Sequence, residues 1–263
     1  MEGWKCFVKE REQNGFMKER EGRRNVEKEG TNSEMKRPTL KKEKTNEKEA
    51  QIATLLGSSS MAVKIYVVSF IVDHIFHGHA LLTLLKKTVR GKLSVPMENS
   101  PVPETLSPTE LAKLKAPPKS SDVEVIAPKE LREADGFVFG FPTRFGMMAA
   151  QFKAFLDSTG NVWKTQQLAG KPAGIFTCTS SQGGGQETTV LSAIPQLAHH
   201  GMIFVPFGME CTSSPDFMNM KELKGGSSYG AATYAGRDPA DWLEKFHAFY
   251  QGYYMANITK NLK

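Results

Sequence analysis

Residues 135–163 constrain the fold of this chain more than any other stretch. An apolar run rich in aromatic residues, 137–141, has the length and composition of a buried strand. Because the Pro142 that follows cannot donate a hydrogen bond to a sheet, we expect the strand to end there in a turn. A helical pattern then places Met148 and Phe152 on one face. Strand, short loop and helix form half of a βαβ unit, which predicts a parallel sheet covered by helices.

The same alternation of strands and helices recurs along the rest of the chain. Short apolar or β-branched runs predict further strands at residues 62–72, 91–95, 173–178 and 202–207. Helical patterns occupy residues 80–87, 189–197 and 239–258. We therefore predict an α/β fold with a doubly wound parallel five-stranded sheet, in the order 2-1-3-4-5, and helices on both faces. In such a sheet the loops after the first, third and fourth strands meet at the carboxyl edge, where ligands bind.

The first 60 residues differ from the rest of the chain. Residues 1–50 contain 14 Lys or Arg and 11 Glu, with scattered apolar residues and no helical or strand period. A segment of this composition buries too little apolar surface to offset the entropy that it loses on ordering. We therefore predict a disordered charged extension at residues 1–60 and a folded domain at residues 61–263.

Charge and cysteine content limit the kind of protein that this is. The net charge of +6 is modest, and no basic stripe with interleaved aromatic residues is present, which argues against nucleic-acid binding. A basic tail that touches a membrane surface or RNA is left open as an alternative. The three cysteines stand at unrelated spacings, so we expect neither a disulfide framework nor a metal site, and we predict a reducing, cytoplasmic environment.

Residues that carry chemistry follow two of the predicted strands. The Phe145 loop (residues 143–146) holds a hydroxyl, a guanidinium, an aromatic ring and a glycine, and the glycine loop (residues 178–185) holds hydroxyls and three glycines. Plain structural interpretations stay open: Arg144 as a surface charge, the glycines as a flexible loop, Trp163 as packing and His199 as a helix end. A binding site is favoured because both loops meet at the same edge of the predicted sheet.

Four motifs resemble a known family. They are residues 102–106 (VPETL), 140–146 (GFPTRFG), 182–188 (QGGGQET) and 199–202 (HHGM). These motifs resemble the flavodoxin-like NAD(P)H:quinone oxidoreductases, most nearly the tryptophan-repressor-binding-protein-like family with its plant quinone reductases. The resemblance extends from about residue 103 to residue 263, returns faintly at residues 61–68 and does not cover residues 1–60.

The resemblance implies an FMN-binding homotetramer that takes a hydride from NADH or NADPH and passes two electrons to a quinone. It implies a cytoplasmic location, with peripheral contact at the plasma membrane as an option. The residues that match the family's cofactor site are Gly78, His79, Pro142, Thr143, Arg144, Phe145, Gly146, Cys178, Thr179, Ser180, Ser181, Gln182, Gly183 and His199. His199 matches the histidine beside the flavin and Trp163 the aromatic residue near the quinone, so these two are the candidate catalytic residues.

The first loop (residues 75–79) departs from the family pattern. The family reads Ser-Met-Tyr-Gly-His directly after the first strand, whereas only Gly78 and His79 match here and Ile75 stands at the serine position. Loss of a hydroxyl that binds phosphate predicts weakened FMN binding and impaired activity. The alternative function is therefore a flavodoxin-fold protein that acts as a non-catalytic oligomer partner or an electron-transfer module.

Overall fold

A sheet of mainly parallel strands forms the centre of the computed structural model, which describes residues 63–70, 97–113, 124–208, 223–234 and 242–263. Within those ranges the strands are β1 (Ile65–Ser69), β2 (Met97–Pro101), β3 (Gly136–Arg144), β4 (Met147–Met148), β5 (Pro172–Thr179), β6 (Ile203–Phe204) and β7 (Ala232–Tyr234). Five strands lie side by side in the order β2-β1-β3-β5-β6, and each neighbouring pair is parallel. Counted along the chain, these five strands stand in the order 2-1-3-4-5.

Helices cover both faces of this sheet. They are α1 (Pro108–Lys113), a 3₁₀ helix (Pro128–Glu133), α2 (Ala150–Asp157), α3 (Gly160–Lys164), α4 (Gln186–His199) and α5 (Trp242–Leu262). Side chains alternate along β3, so that Phe137 and Phe139 face a cluster built with α2, α3 and α4 while Val138 faces a cluster built with α5. The predicted α/β sheet with helices on both faces is confirmed.

The aromatic residues of the central segment form the core, as their pattern predicts. The rings of Phe137 and Phe139 stack with centroids 5.5 Å apart, and Phe152 of α2 packs 4.7 Å from Phe141. All four side chains are buried. Burial of each such side chain contributes about 1.5–3 kcal/mol, which fixes α2 against β3 directly after the Phe145 loop.

The prediction that the third strand ends at Pro142 is wrong. β3 continues through Pro142, which pairs with Cys178 of β5, and ends at Arg144. Within the described residues, pairing of β3 with β1 ends at Gly140. Beyond Gly140 the missing N–H of Pro142 therefore breaks no hydrogen bond to β1, and the strand tolerates the proline.

Two strands lie outside the stretches that were predicted to be strands. Met97–Pro101 forms β2, which pairs in parallel with β1, and the strand predicted at residues 91–95 lies outside the described ranges. The stretch 225–236 has the glycine-rich composition of a long loop, but Ala232–Tyr234 within it forms β7 beside β5. Both strands are stabilised by hydrogen bonds to distant strands, which local sequence patterns do not record.

Several predictions concern residues that the structure does not describe. The charged extension at residues 1–60, the helix at residues 80–87 and the first loop with Gly78 and His79 all lie there. The domain boundary at residue 61 therefore stays a prediction. In the part of the chain that is described, no helix is both long and apolar enough to cross a membrane.

Candidate active site

The Phe145 loop is a tight hairpin turn at the carboxyl end of β3. Arg144 pairs with Met147 of β4, which leaves Phe145 and Gly146 as a two-residue turn. Both have positive φ, 53° and 78°, as a type I′ turn requires. The hydroxyl of Thr143 accepts a hydrogen bond from the Gly146 N–H at 3.2 Å and holds the turn closed.

Phe145 is the unusual residue of this turn. A non-glycine residue at positive φ costs roughly 1–2 kcal/mol, and a phenyl ring exposed to water gains no burial energy in return. The Phe145 side chain is fully exposed, at 104% of its reference area. Such strain together with an exposed aromatic ring is characteristic of a ligand-binding position, where a bound molecule covers the ring.

The glycine loop follows β5 at the same edge of the sheet. Ser180, Ser181, Gln182 and Gly183 are exposed there. The N–H of Gly184 donates to the Ser181 carbonyl at 3.0 Å and forms a turn. Positive φ at Gly183 and Gly185, 71° and 90°, lets the backbone curve in a way that other residues resist. The result is a run of exposed hydroxyls and backbone amides suited to a polar or anionic ligand.

Contacts from α4 join the two loops into one site. The hydroxyl of Thr189 lies 2.7 Å from the hydroxyl of Thr143 and 2.6 Å from the Gly185 carbonyl oxygen. A Cβ added to Gly185 would lie only 3.1 Å from the Gly146 Cα, so glycine is needed where the loops approach. The structure thus brings together the predicted residues 143–146 and 180–183.

Three of the predicted cofactor residues are buried. Pro142, Cys178 and Thr179 belong to β3 and β5, and their side chains are covered by the protein. The Thr179 hydroxyl donates inward to the Ser181 carbonyl at 3.2 Å. These buried strand residues therefore support the two loops, and a ligand would contact the exposed loop residues that follow them in the chain.

Trp163 and His199 line a different concavity. The Trp163 pocket has a volume of about 190 Å³ and is lined by Leu156, Asp157, Thr159, Gly160, Trp163, Gln196, His199 and His200. Trp163 is 47% exposed, which excludes a core role for its ring. The pocket combines an indole face, an imidazole and a carboxylate at the ends of α2 and α4.

The Trp163 pocket lies at the other end of the sheet from the two loops. α4 begins beside the glycine loop, and its 14 residues carry it roughly 20 Å to His199. There the Gly170 N–H donates to the Gly201 carbonyl at 2.8 Å, just before the amino ends of β5 and β6. Within one chain, Trp163 and His199 therefore do not reach a ligand held by the Phe145 loop and the glycine loop.

His200 is a pocket residue that the sequence analysis did not select. His199 is exposed, whereas His200 is only 3% exposed. Because the Thr159 hydroxyl donates to the Leu156 carbonyl at 2.5 Å, it accepts from His200 Nε2 at 2.9 Å. This assigns the ring proton to Nε2, and the buried Nδ1 has no hydrogen-bond partner in the described part of the chain. The sequence contains a pattern that predicts its burial, because His200 follows the buried residues Val190, Ala193 and Leu197 at helical spacing.

We predict that His200 makes folding sensitive to mild acid. Burial, with a smaller contribution from His199, lowers the pKa of His200 below 6.5. The unfolded chain therefore binds this proton more readily, so stability is complete above pH 6.5 and is lost as the pH falls toward the folded pKa. His200→Gln keeps an N–H donor but cannot titrate, and should lose less stability between pH 7.5 and 5.5 in urea unfolding. Equal pH slopes for the wild type and His200→Gln would contradict this, and His199→Gln is the exposed control.

Comparisons with known proteins place this chain in a family. Residues 88–209 match the family model of the NADPH-dependent FMN reductases. The probable NAD(P)H dehydrogenase (quinone) FQR1-like 2 of Arabidopsis thaliana is 47% identical over 213 residues, 80% of this chain and 77% of the relative. The quinone-oxidoreductase QR2 of Triphysaria versicolor is 56% identical over 207 residues, 77% of this chain and 98% of the relative. The chain belongs to the NAD(P)H:quinone oxidoreductase family.

A solved structure supports the fold of this family member. The flavodoxin, WrbA-like protein from Agrobacterium tumefaciens aligns with a TM-score of 0.51 at 17% identity, over 77% of this chain and all of that one. At this identity the likeness concerns the fold, and it confirms the predicted flavodoxin-like class. The family resemblance stated from the four motifs is confirmed by the two relatives.

The residues of the joined loops fit the flavin of the FMN reductase model. An isoalloxazine needs a flat apolar surface, and the exposed Phe145 ring supplies one. The Arg144 guanidinium and the backbone amides of the glycine loop would stabilise negative charge on a bound FMN. The first loop, where Gly78 and His79 were assigned to the cofactor, lies outside the described residues, so the fit concerns the remaining two loops.

Proposed function

We propose that this chain is an FMN-dependent NAD(P)H:quinone oxidoreductase that holds its cofactor between the Phe145 loop and the glycine loop. The observation that carries the proposal is the strained turn that exposes Phe145 beside a run of exposed hydroxyls and amides. FMN, when bound, supplies the two-electron chemistry, so that no side chain has to act as a nucleophile. The protein binds, orients and stabilises charge.

A matched pair of glycine substitutions tests the cofactor site. Gly183 and Gly170 have nearly the same φ, 71° and 77°, and a Cβ at either would meet no atom within 4 Å. Gly183→Ala and Gly170→Ala should therefore both lose about 1–2 kcal/mol of stability. Only Gly183 lies in the glycine loop, so Gly183→Ala alone should raise the Kd for FMN, by about tenfold, in a fluorescence-quenching titration.

The outcomes of this titration separate two failures. Equal FMN affinity in the two variants would contradict the placement of the flavin on the glycine loop. A wild-type chain that does not quench FMN fluorescence at all would contradict the cofactor itself. Urea unfolding of both variants checks that the two substitutions lower the free energy of unfolding by the same amount.

We infer further that the substrate site is completed by a second copy of this chain, which supplies Trp163 and His199. Two observations support this: these residues lie roughly 20 Å from the loops of their own chain, and both are exposed. Met147 and Leu191 are exposed apolar residues on the elements between the loops and the pocket, and they give this side an apolar surface for a partner. In this arrangement the Trp163 ring provides a stacking wall for a quinone.

A homotetramer, as the family resemblance implies, would contain several such paired sites. The choice between NADH and NADPH, cytoplasmic location and peripheral contact with the plasma membrane stay predictions.

A further inference from the structure

The side chain of Gln186, the first residue of α4, connects three separate segments of the chain. Its Nε2 donates to the hydroxyl of Thr179 at 3.2 Å and to the carbonyl oxygen of Thr233 at 3.2 Å. Its Oε1 accepts from the N–H of Gly226 at 2.9 Å. One amide thus joins the end of β5, strand β7 and the turn that precedes β7.

The orientation of the Gln186 amide is fixed by chemistry. A backbone N–H can only donate and a backbone carbonyl can only accept, so Gly226 must face the amide oxygen and Thr233 the amide nitrogen. The second N–H is then directed at Thr179, whose hydroxyl accepts it. Glutamate could replace the acceptor but neither donor, and methionine could replace none of the three.

The contact with Thr179 continues into the glycine loop. Having accepted from Gln186, the Thr179 hydroxyl donates its own proton to the Ser181 carbonyl at 3.2 Å. The same carbonyl accepts the Gly184 N–H at 3.0 Å, which closes the turn of residues 181–184. Thr179 is fully buried, whereas Gln186 is partly exposed and Ser181 is exposed, so the Thr179 hydroxyl carries the contact from the edge of the core to the exposed loop.

We propose that Gln186 is a positioning residue that holds the glycine loop in its FMN-binding conformation from the platform formed by Gly226 and Thr233. The proposal rests on the proposed FMN site. Gln186 acts through Thr179 and does not itself touch the cofactor. When the hydrogen bonds of Gln186 are lost, the loop samples other conformations, and the apparent Kd for FMN rises in inverse proportion to the fraction of molecules whose loop can still bind FMN.

Glu244 supplies the control for a purely structural role. Its carboxylate accepts from the Gly225 N–H and from the Thr233 hydroxyl, both at 2.8 Å, and so holds the same platform. None of these contacts involves Thr179. Glu244→Gln weakens these bonds but keeps the platform in place, because an amide oxygen can accept from the Gly225 N–H and an amide nitrogen can donate to the Thr233 hydroxyl. It should therefore lower the urea midpoint of the apoprotein while leaving the Kd for FMN within about twofold of the wild type.

The experiment is a double-mutant cycle on FMN binding by the full chain. Gln186→Met and Thr179→Val should each raise the Kd for FMN by about tenfold. The Kd of the double variant should be no higher than that of either single variant, because both substitutions break the same hydrogen bond between Gln186 and Thr179. Gln186→Glu should resemble Gln186→Met, since it also lacks the donor. Fluorescence quenching gives the Kd, and visible circular dichroism of the bound flavin reports its altered surroundings.

Three results would overturn the proposal, and one would shift the test to other variants. If the wild type binds FMN but Gln186→Met binds it equally well, Gln186 does not position the loop. If the two effects multiply to about 100-fold in the double variant, Gln186 and Thr179 act separately. If Gln186→Met does not fold, Thr179→Val and Gln186→Glu carry the same comparison. If the wild type binds no FMN, the proposed function fails first and this inference falls with it.

Discussion

Replacing Trp163 by alanine is expected to lower kcat/KM for quinones by about 10- to 100-fold with little loss of stability. An aromatic side chain that a substrate covers contributes about 1.5–3 kcal/mol, which corresponds to that factor. A core tryptophan would lose about 3–5 kcal/mol of folding free energy on truncation. Trp163 is 47% exposed, so we expect a loss nearer 1 kcal/mol. Steady-state kinetics with a series of benzoquinones and urea unfolding of the same samples measure the two quantities.

Mixed oligomers decide whether Trp163 serves its own chain or a neighbour. Gly183→Val places a β-branched residue at a φ of 71° and should disable the glycine loop. Co-expressed with Trp163→Ala, it should restore quinone turnover, because one chain then provides an intact loop and the other an intact Trp163. If the co-expressed sample is no more active than the two variants measured alone, Trp163 does not complete a neighbour's site. If Trp163→Ala instead loses much stability but keeps the quinone kinetics of the wild type, Trp163 serves in packing and not in substrate binding.

Gly230→Ala is expected to have the largest effect on folding. A Cβ at Gly230 would lie 2.0 Å from the carbonyl oxygen of Ile175, a backbone atom in the middle of β5. The segment would have to leave β5, which breaks the hydrogen bond from the Thr177 N–H to Ala231 at 3.1 Å. We expect a loss of more than about 4 kcal/mol, or no folded protein.

Gly160→Ala is the matched control for this prediction. Gly160 is the first residue of α3, and a Cβ there would meet no atom within 4 Å. The substitution should be neutral or stabilise by up to about 1 kcal/mol, since alanine favours a helix over glycine. Urea unfolding compares the two variants with the wild type. A Gly230→Ala chain with the wild-type midpoint would show that the turn before β7 can move away from β5 without cost.

The sheet and one half of the site were predictable from local sequence. A short apolar run rich in aromatic residues marks residues 137–141 as a buried strand, and Phe137 and Phe139 are indeed in the core. Because parallel strands end at one edge, the Phe145 loop and the glycine loop had to lie close together. The prediction of a turn at Pro142 was wrong because the tolerance of proline depends on which neighbouring strand is paired there.

The position of Trp163 and His199 was decided by tertiary structure. The family resemblance assigns His199 to the cofactor site and Trp163 to the neighbouring quinone site, yet the length of α4 carries both residues to the opposite end of the sheet. The role of Gln186 was equally hidden, because the sequence placed this residue in a loop, whereas it begins α4. Its partners Thr179, Gly226 and Thr233 lie 7, 40 and 47 residues away. Local periodicity records which face of an element is apolar, whereas hydrogen bonds between residues so far apart are formed only when the elements pack.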